Sequence, residues 1–332
     1  MEKTKEEIKE EIEKEIKDSV DDFIGTIKKE PCCEYFSDKT EADWECEKVY
    51  KDALYQGYLD ACRTIHWSTK AREEGDELLK RKKVWDKKRP NTEENPMREP
   101  LTDVAKELCN YFDGDEKFDD KYSGWCKALI DSYKKYLVDE ITYGQAQIIN
   151  MAFKYLYCIC DRCRGGEKYK KKFDKCHMPL DSFSLEWFKR KFKEDDFSNA
   201  ESYPENYKKL PENLFTKGEK KKLKAESIGA WSSMQKTWEK SCIKEEYPYE
   251  FYAHVIKQYC KENSITPLQL DFIVWSKMQK IMAAESFIKT FKDDDEENKE
   301  VINSEELEPY DILNLKTTLE NRLSEIRPLI CK

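Results

Sequence analysis

The segment Ile265-Thr266-Pro267-Leu268-Gln269-Leu270-Asp271 favours one local structure. Thr266 and Gln269 stand at capping-box spacing. Pro267 falls at the first helical position, where the missing N–H costs nothing and the fixed φ is already helical. His177-Met178-Pro179-Leu180-Asp181-Ser182-Phe183 has a similar order, a proline followed by an aspartate at the mouth of a helix. Only 10 Gly and 11 Pro occur in 332 residues, long charged segments follow a helical period, and no alternating run is long enough for a sheet. The expected fold class is all-α.

The helical period places a charged helix over residues 1–30, with Ile8, Ile12, Ile16 and Val20 on one stripe. One or two long helices are expected over 40–88, burying Trp44, Val49, Leu54, Leu59, Ile65 and Leu78. A loop follows from Arg89 to Pro100, which carries three prolines. Further helices are expected at 101–112, 123–138, 143–160, 182–193, 217–240, 248–262, 267–291 and 305–327. The basic stretch 161–176, with Gly165-Gly166, reads as a loop, 194–209 as irregular, and 293–300 as an acidic break. This divides the chain into an N-terminal helical lobe, 1–135, that matches no pattern, and a second helical region, 136–332.

No apolar run approaches a membrane span, and the charged stretch from Glu2 to Lys17 is unlike a signal peptide, so an intracellular, cytoplasmic (nucleoid-associated), monomeric protein is expected. The 13 cysteines read as mostly free thiols. The net charge of −9 argues against a nucleic-acid partner, but its distribution argues the other way. Residues 147–224 hold 19 Lys and Arg against 12 Asp and Glu, a local +7. The runs 168–175, 189–193 and 217–224 flank the two capped segments, and Lys170, Lys171, Lys172, Lys189, Arg190 and Lys191 are candidates for phosphate contacts. Taken alone, such runs are also what solvated helix faces look like.

Three elements carry the chemistry. In Gly144-Gln145-Ala146-Gln147-Ile148-Ile149-Asn150-Met151-Ala152-Phe153-Lys154-Tyr155-Leu156-Tyr157, polar Gln147 and Lys154 are two turns apart on an apolar helix. Pro179-Leu180-Asp181 supplies a carboxylate that caps its own helix and is favoured in its ionised form there. In Pro267-Leu268-Gln269-Leu270-Asp271, Asp271 and Trp275 share a helix face, and an aspartate among Leu268, Leu270 and Phe272 needs a buried partner. In order and spacing these elements, over about residues 140–290, resemble the archaeal-type 8-oxoguanine DNA glycosylases of the helix-hairpin-helix superfamily. The resemblance implies a two-lobed helical bundle that flips a damaged base out of duplex DNA and excises it without a cofactor, followed by strand cleavage through a lysine Schiff base. It implies Asp181 as the anion beside C1′ and Asp271 and Trp275 as walls of the base pocket. Met151 stands where the family has an aromatic stacking residue, and Lys154 fits the family's second lysine.

Gln147 occupies the place of the nucleophilic lysine and cannot form a Schiff base. Lys154 lies about 10 Å along the helix from it and is no replacement. Three explanations compete: a lysine-to-glutamine inactivated form, which the otherwise intact pattern favours; a monofunctional enzyme in which Asp181 activates water; or a binding-only descendant. The expected substrate is 8-oxoguanine. The alternatives are a hypermodified phage base, which would make this an antiviral glycosylase, and a helical DNA-binding or interaction protein without chemistry. Trp67 and Trp85 are open candidates for a second face of the base. Cys158, Cys160, Cys163, Cys176 and His177 invite a metal reading, but their spacing fits neither zinc nor iron–sulfur ligation.

Overall fold

The computed structural model describes residues 4–28, 43–61, 98–136, 144–192, 216–217, 221–222 and 248–293. Eight α-helices are described: α1 (Lys5–Ile27), α2 (Glu47–Ala61), α3 (Thr102–Asp113), α4 (Phe118–Tyr133), α5 (Gly144–Ile159), α6 (Ser182–Lys191), α7 (Pro248–Glu262) and α8 (Pro267–Asp293). Short 3₁₀ turns at Glu99–Leu101, Lys134–Tyr136 and Gly166–Phe173 connect them. Extended pairing among the described residues is confined to an isolated bridge between Asp43 and Arg164 and a two-residue antiparallel ladder, Thr216–Lys217 with Lys221–Lys222. The all-α expectation holds, and no described helix is long and apolar enough to cross a membrane.

α1 starts at a capping box. Glu7 N–H donates to Thr4 Oγ1 at 3.2 Å and the Thr4 N–H donates to Glu7 Oε2 at 2.7 Å. Its expected stripe is displaced toward the C-terminus: Ile8 is 45% exposed, and burial runs through Ile16, Ser19, Phe23 and Ile24. The reason is the partner. α8 meets the later turns of α1 through Lys277–Glu15, Ser276–Asp22 and the edge-to-face pair Phe23–Trp275.

α2 lies against α5 in the most extensive contact among the described helices. Gly57 permits it: a Cβ there would stand 2.5 Å from the Ile148 carbonyl oxygen, so only glycine allows the two backbones this close. Across the same contact Tyr155 Oη donates to Asp60 Oδ2 at 2.7 Å. Helices from both sides of residue 135 contribute to one hydrophobic core.

Expected Trp44, Val49, Leu54 and Leu59 are buried, whereas Ile65 and Leu78 lie outside the described residues. α4 begins at Phe118, five residues before its expected start, because buried Phe118 packs on Tyr122 and Trp125 and belongs to the helix face. The stretch 161–176 is not simply a loop. After Gly165, at φ 78°, a 3₁₀ helix buries Tyr169 and Phe173 against Trp44 and Phe112. The lysines between those two rings conceal their i, i+4 spacing. Where a helix was expected from 217, residues 216–217 and 221–222 form the small ladder; the rest of that segment and the helix at 305–327 lie outside the described residues.

Candidate functional site

α5, the start of α6 and the start of α8 converge, and each is fixed by its own local chemistry. Asp181 is the N-cap of α6: Ser184 N–H donates to Asp181 Oδ1 at 2.8 Å and Asp181 N–H donates to Ser184 Oγ at 2.7 Å. At α8 the expected capping box is present, with Thr266 N–H donating to Gln269 Oε1 at 2.9 Å and Gln269 N–H to Thr266 Oγ1 at 3.2 Å. Gln147 is buried near the start of α5, and its Oε1 accepts the Leu180 N–H at 3.0 Å. That bond ties α5 to the residue immediately before Asp181.

Asp271 has the partner its setting demands. Lys154 Nζ lies 2.6 Å from Asp271 Oδ2, and both side chains are 2% exposed. Aromatic rings surround the ammonium, with centroids at 4.1 Å for Phe23, 5.1 Å for Phe272 and 5.5 Å for Trp275. Burial pushes the Asp271 carboxyl up to about 6, against the pull of Lys154, and the Asp181 carboxylate adds to the rise. Asp271 therefore senses the charge of Asp181. Gln147, on the same helix as Lys154, contributes no charge.

The structure brings Gln147, Lys154, Asp181, Asp271 and Trp275 into one neighbourhood. Trp275 is buried and meets Phe23 at 5.1 Å and Phe183 at 6.4 Å between centroids, both edge-on. Met151 is half-buried, with its Cβ against Gly57, so its contact shown here is with α2. Phe23 was not singled out by sequence reasoning. It is distant in the chain, but it continues the apolar stripe Ile16–Val20, and that continuation was a usable signal. Asn150, a polar residue on an apolar helix, was another: its Oδ1 accepts the Tyr122 hydroxyl at 2.7 Å, and Tyr122 packs on His177 at 4.2 Å.

The basic candidates are largely engaged within the chain. Lys170 pairs with Asp161 at 2.7 Å, Lys172 donates to the Gly114 carbonyl and lies over the Tyr111 ring, and Lys171 is exposed. Arg190 holds Glu285 through two hydrogen bonds of 2.9 and 2.8 Å and also reaches Glu186; Lys191 lies over Tyr259. The Lys189 side chain, Trp67 and Trp85 lie outside what is described.

Cys158, Cys160, Cys163 and Cys176 are buried thiols. Cys160 Sγ donates to the Gly166 carbonyl at 3.0 Å, and burial raises its thiol to about 12. Among the described residues no group of three His, Cys, Asp or Glu side chains is arranged to hold a metal ion. No family model, curated protein or solved structure matches the chain.

Proposed function

We propose that the chain is a DNA glycosylase of the helix-hairpin-helix type that excises a damaged or modified base by attack of water rather than through a lysine adduct. The observation that carries this reading is the hydrogen bond from Leu180 N–H to Gln147 Oε1. A lysine has donors only and could not accept that bond. A buried amide left unpaired costs about 1–3 kcal/mol. The turn before Asp181 is thus built around glutamine, which favours a monofunctional enzyme over an inactivated one.

In this reading Asp181 does two things. One carboxylate oxygen caps α6, and its charge stabilises the oxocarbenium-like transition state at C1′ and orients the attacking water. Asp271 and Trp275 line the base pocket. Lys154 occupies it in the free chain and must yield to the flipped base. The family resemblance places 8-oxoguanine first among substrates.

The test uses end-labelled duplex carrying one 8-oxoguanine or another modified base. The enzyme releases the base and leaves an intact strand that breaks only in alkali. Duplex binding weakens steeply with salt. Absence of salt-dependent binding would remove DNA as the partner. A second reading, a DNA-binding protein without chemistry, draws on the internal engagement of Lys154, Lys170, Lys172 and Arg190. Salt-dependent binding without release of any base would favour it.

A further inference from the structure

We infer that Cys46 and Cys109 are a reversible redox pair: a peroxide oxidises the Cys46 thiol, and the Cys109 thiol resolves it into a disulfide that bolts the start of α2 to α3. The residues that carry this inference lie outside the convergence of α5, α6 and α8, so it stands apart from the glycosylase reading.

The first observation is placement. Cys46 belongs to the turn that opens α2, where its N–H donates to the Asp43 carbonyl at 3.0 Å and its carbonyl accepts the Val49 N–H at 2.9 Å. Cys109 lies on α3, and its Sγ donates at 3.7 Å to the carbonyl of Glu45, the residue next to Cys46. Peptide geometry then puts the Cys46 Cα within about 6.5 Å of the Cys109 Sγ. Rotation of the two short side chains about χ1, with at most a small backbone shift, closes that gap to a sulfur–sulfur bond.

The second is exposure. Cys126, Cys158, Cys160, Cys163, Cys176 and Cys260 are buried, whereas Cys46 is exposed and Cys109 half-buried. Among the described cysteines a small oxidant in solution therefore meets this pair first.

The third is a base in place. Cys109 Sγ also donates to Asp113 Oδ2 at 3.8 Å, one turn further along α3, and the other oxygen of that carboxylate accepts the Tyr169 hydroxyl at 2.5 Å. Burial, with the Asp113 carboxylate beside it, raises the Cys109 thiol to about 11. Cys109 thus waits as a protonated donor, which suits the resolving thiol rather than the attacking one.

The chemistry balances with a peroxide as the oxidant. The Cys46 thiolate attacks one peroxide oxygen, the O–O bond breaks, and hydroxide leaves a sulfenic acid on Cys46. The Cys109 sulfur gives its proton to Asp113 and attacks the Cys46 sulfur. The S–O bond breaks, and the departing hydroxide takes up that proton as water. Two thiols lose two electrons, and hydrogen peroxide becomes two waters.

The bond would lock a turn that already anchors the basic segment. Trp44 N–H donates to the Arg164 carbonyl at 3.2 Å, Glu45 pairs with Lys168 at 2.6 Å, and the Trp44 ring stacks on Tyr169 at 5.8 Å. A disulfide from 46 to 109 also closes a long loop in the unfolded chain, so the oxidised form is the more stable.

The experiment treats the fully reduced chain with hydrogen peroxide, blocks the remaining thiols, digests without reductant and maps linked peptides by mass spectrometry. The expected first product joins Cys46 to Cys109, reverts with reductant, and melts about 5 °C higher than the reduced chain. Cys109→Ser should instead accumulate a Cys46 sulfenic acid that a 1,3-diketone traps. Asp113→Asn should slow the link about tenfold or more while Cys46 is oxidised at its former rate, and its melting curve shows whether it folds. Mapping of the unaltered chain needs no variant. Oxidation of Cys46 with Cys109 still open to alkylation, a first link from Cys46 to another cysteine, or oxidation of the buried thiols before this pair overturns the inference.

Discussion

Gln147 Oε1 accepts the Leu180 N–H at 3.0 Å, joining the start of α5 to the residue that precedes the α6 cap. Removing the acceptor should be felt as a buried unpaired amide. Gln147→Leu is expected to lower unfolding free energy in urea by about 1–3 kcal/mol. Gln147→Lys is expected to lose a similar amount, while giving a borohydride-trappable adduct with abasic DNA if its amine reaches C1′. A gain of stability on introducing lysine would instead mark this chain as an inactivated form.

Lys154 and Asp271 form a nearly solvent-free ion pair. Breaking it from one side leaves a buried charge, so Lys154→Met and Asp271→Leu should each cost about 3–5 kcal/mol. The double replacement is expected to recover much of the loss. Losses that simply add in a double-mutant cycle would show that the two side chains do not interact.

Gly57 faces the backbone of α5 with no room for a side chain. Gly57→Ala brings a Cβ within 2.5 Å of the Ile148 carbonyl, and α2 or α5 must shift. A loss of about 1–3 kcal/mol in thermal or chemical unfolding is expected, although alanine is the better helix former. An unchanged or raised stability would contradict the packing described.

Acid sensitivity should pass through His177. Burial, with Lys257 nearby, holds its imidazole well below the usual 6.5. A group depressed in the folded state binds its proton more readily when unfolded, so stability falls as pH drops below about 6.5. His177→Phe, set among Phe118 and Tyr122, should flatten that fall between pH 6.5 and the pH where the folded imidazole itself titrates. Unchanged slopes in the two proteins would assign the acid loss to other groups.

The helix starts were legible because capping is local: Thr266-Pro267-x-Gln269 and Asp181 carry their own instructions. The need of Asp271 for a partner was legible too, from its apolar neighbours. The partner was not, since periodicity does not reveal which lysine reaches across from another helix. Tyr169 and Phe173 were hidden for the same reason, their burial being set by Trp44 and Phe112, far away in sequence. The stripe of α1 was read correctly in kind and misplaced along the helix, because its buried turns are chosen by where α8 lies. The basic runs were visible, but their internal partners Asp161, Glu186 and Glu285 were not.

The most direct test of the central claim compares base release from modified duplex DNA by the chain and by Asp181→Asn. Asparagine caps a helix about as well as aspartate, so α6 and the fold should persist, and circular dichroism verifies this. The account predicts base release by the chain and a loss of about 10²–10³-fold in Asp181→Asn with DNA binding retained, the scale expected when one electrostatic stabiliser of the transition state is removed. Equal release by both proteins would contradict the role of Asp181, and no release by either from any modified duplex would contradict the enzyme itself.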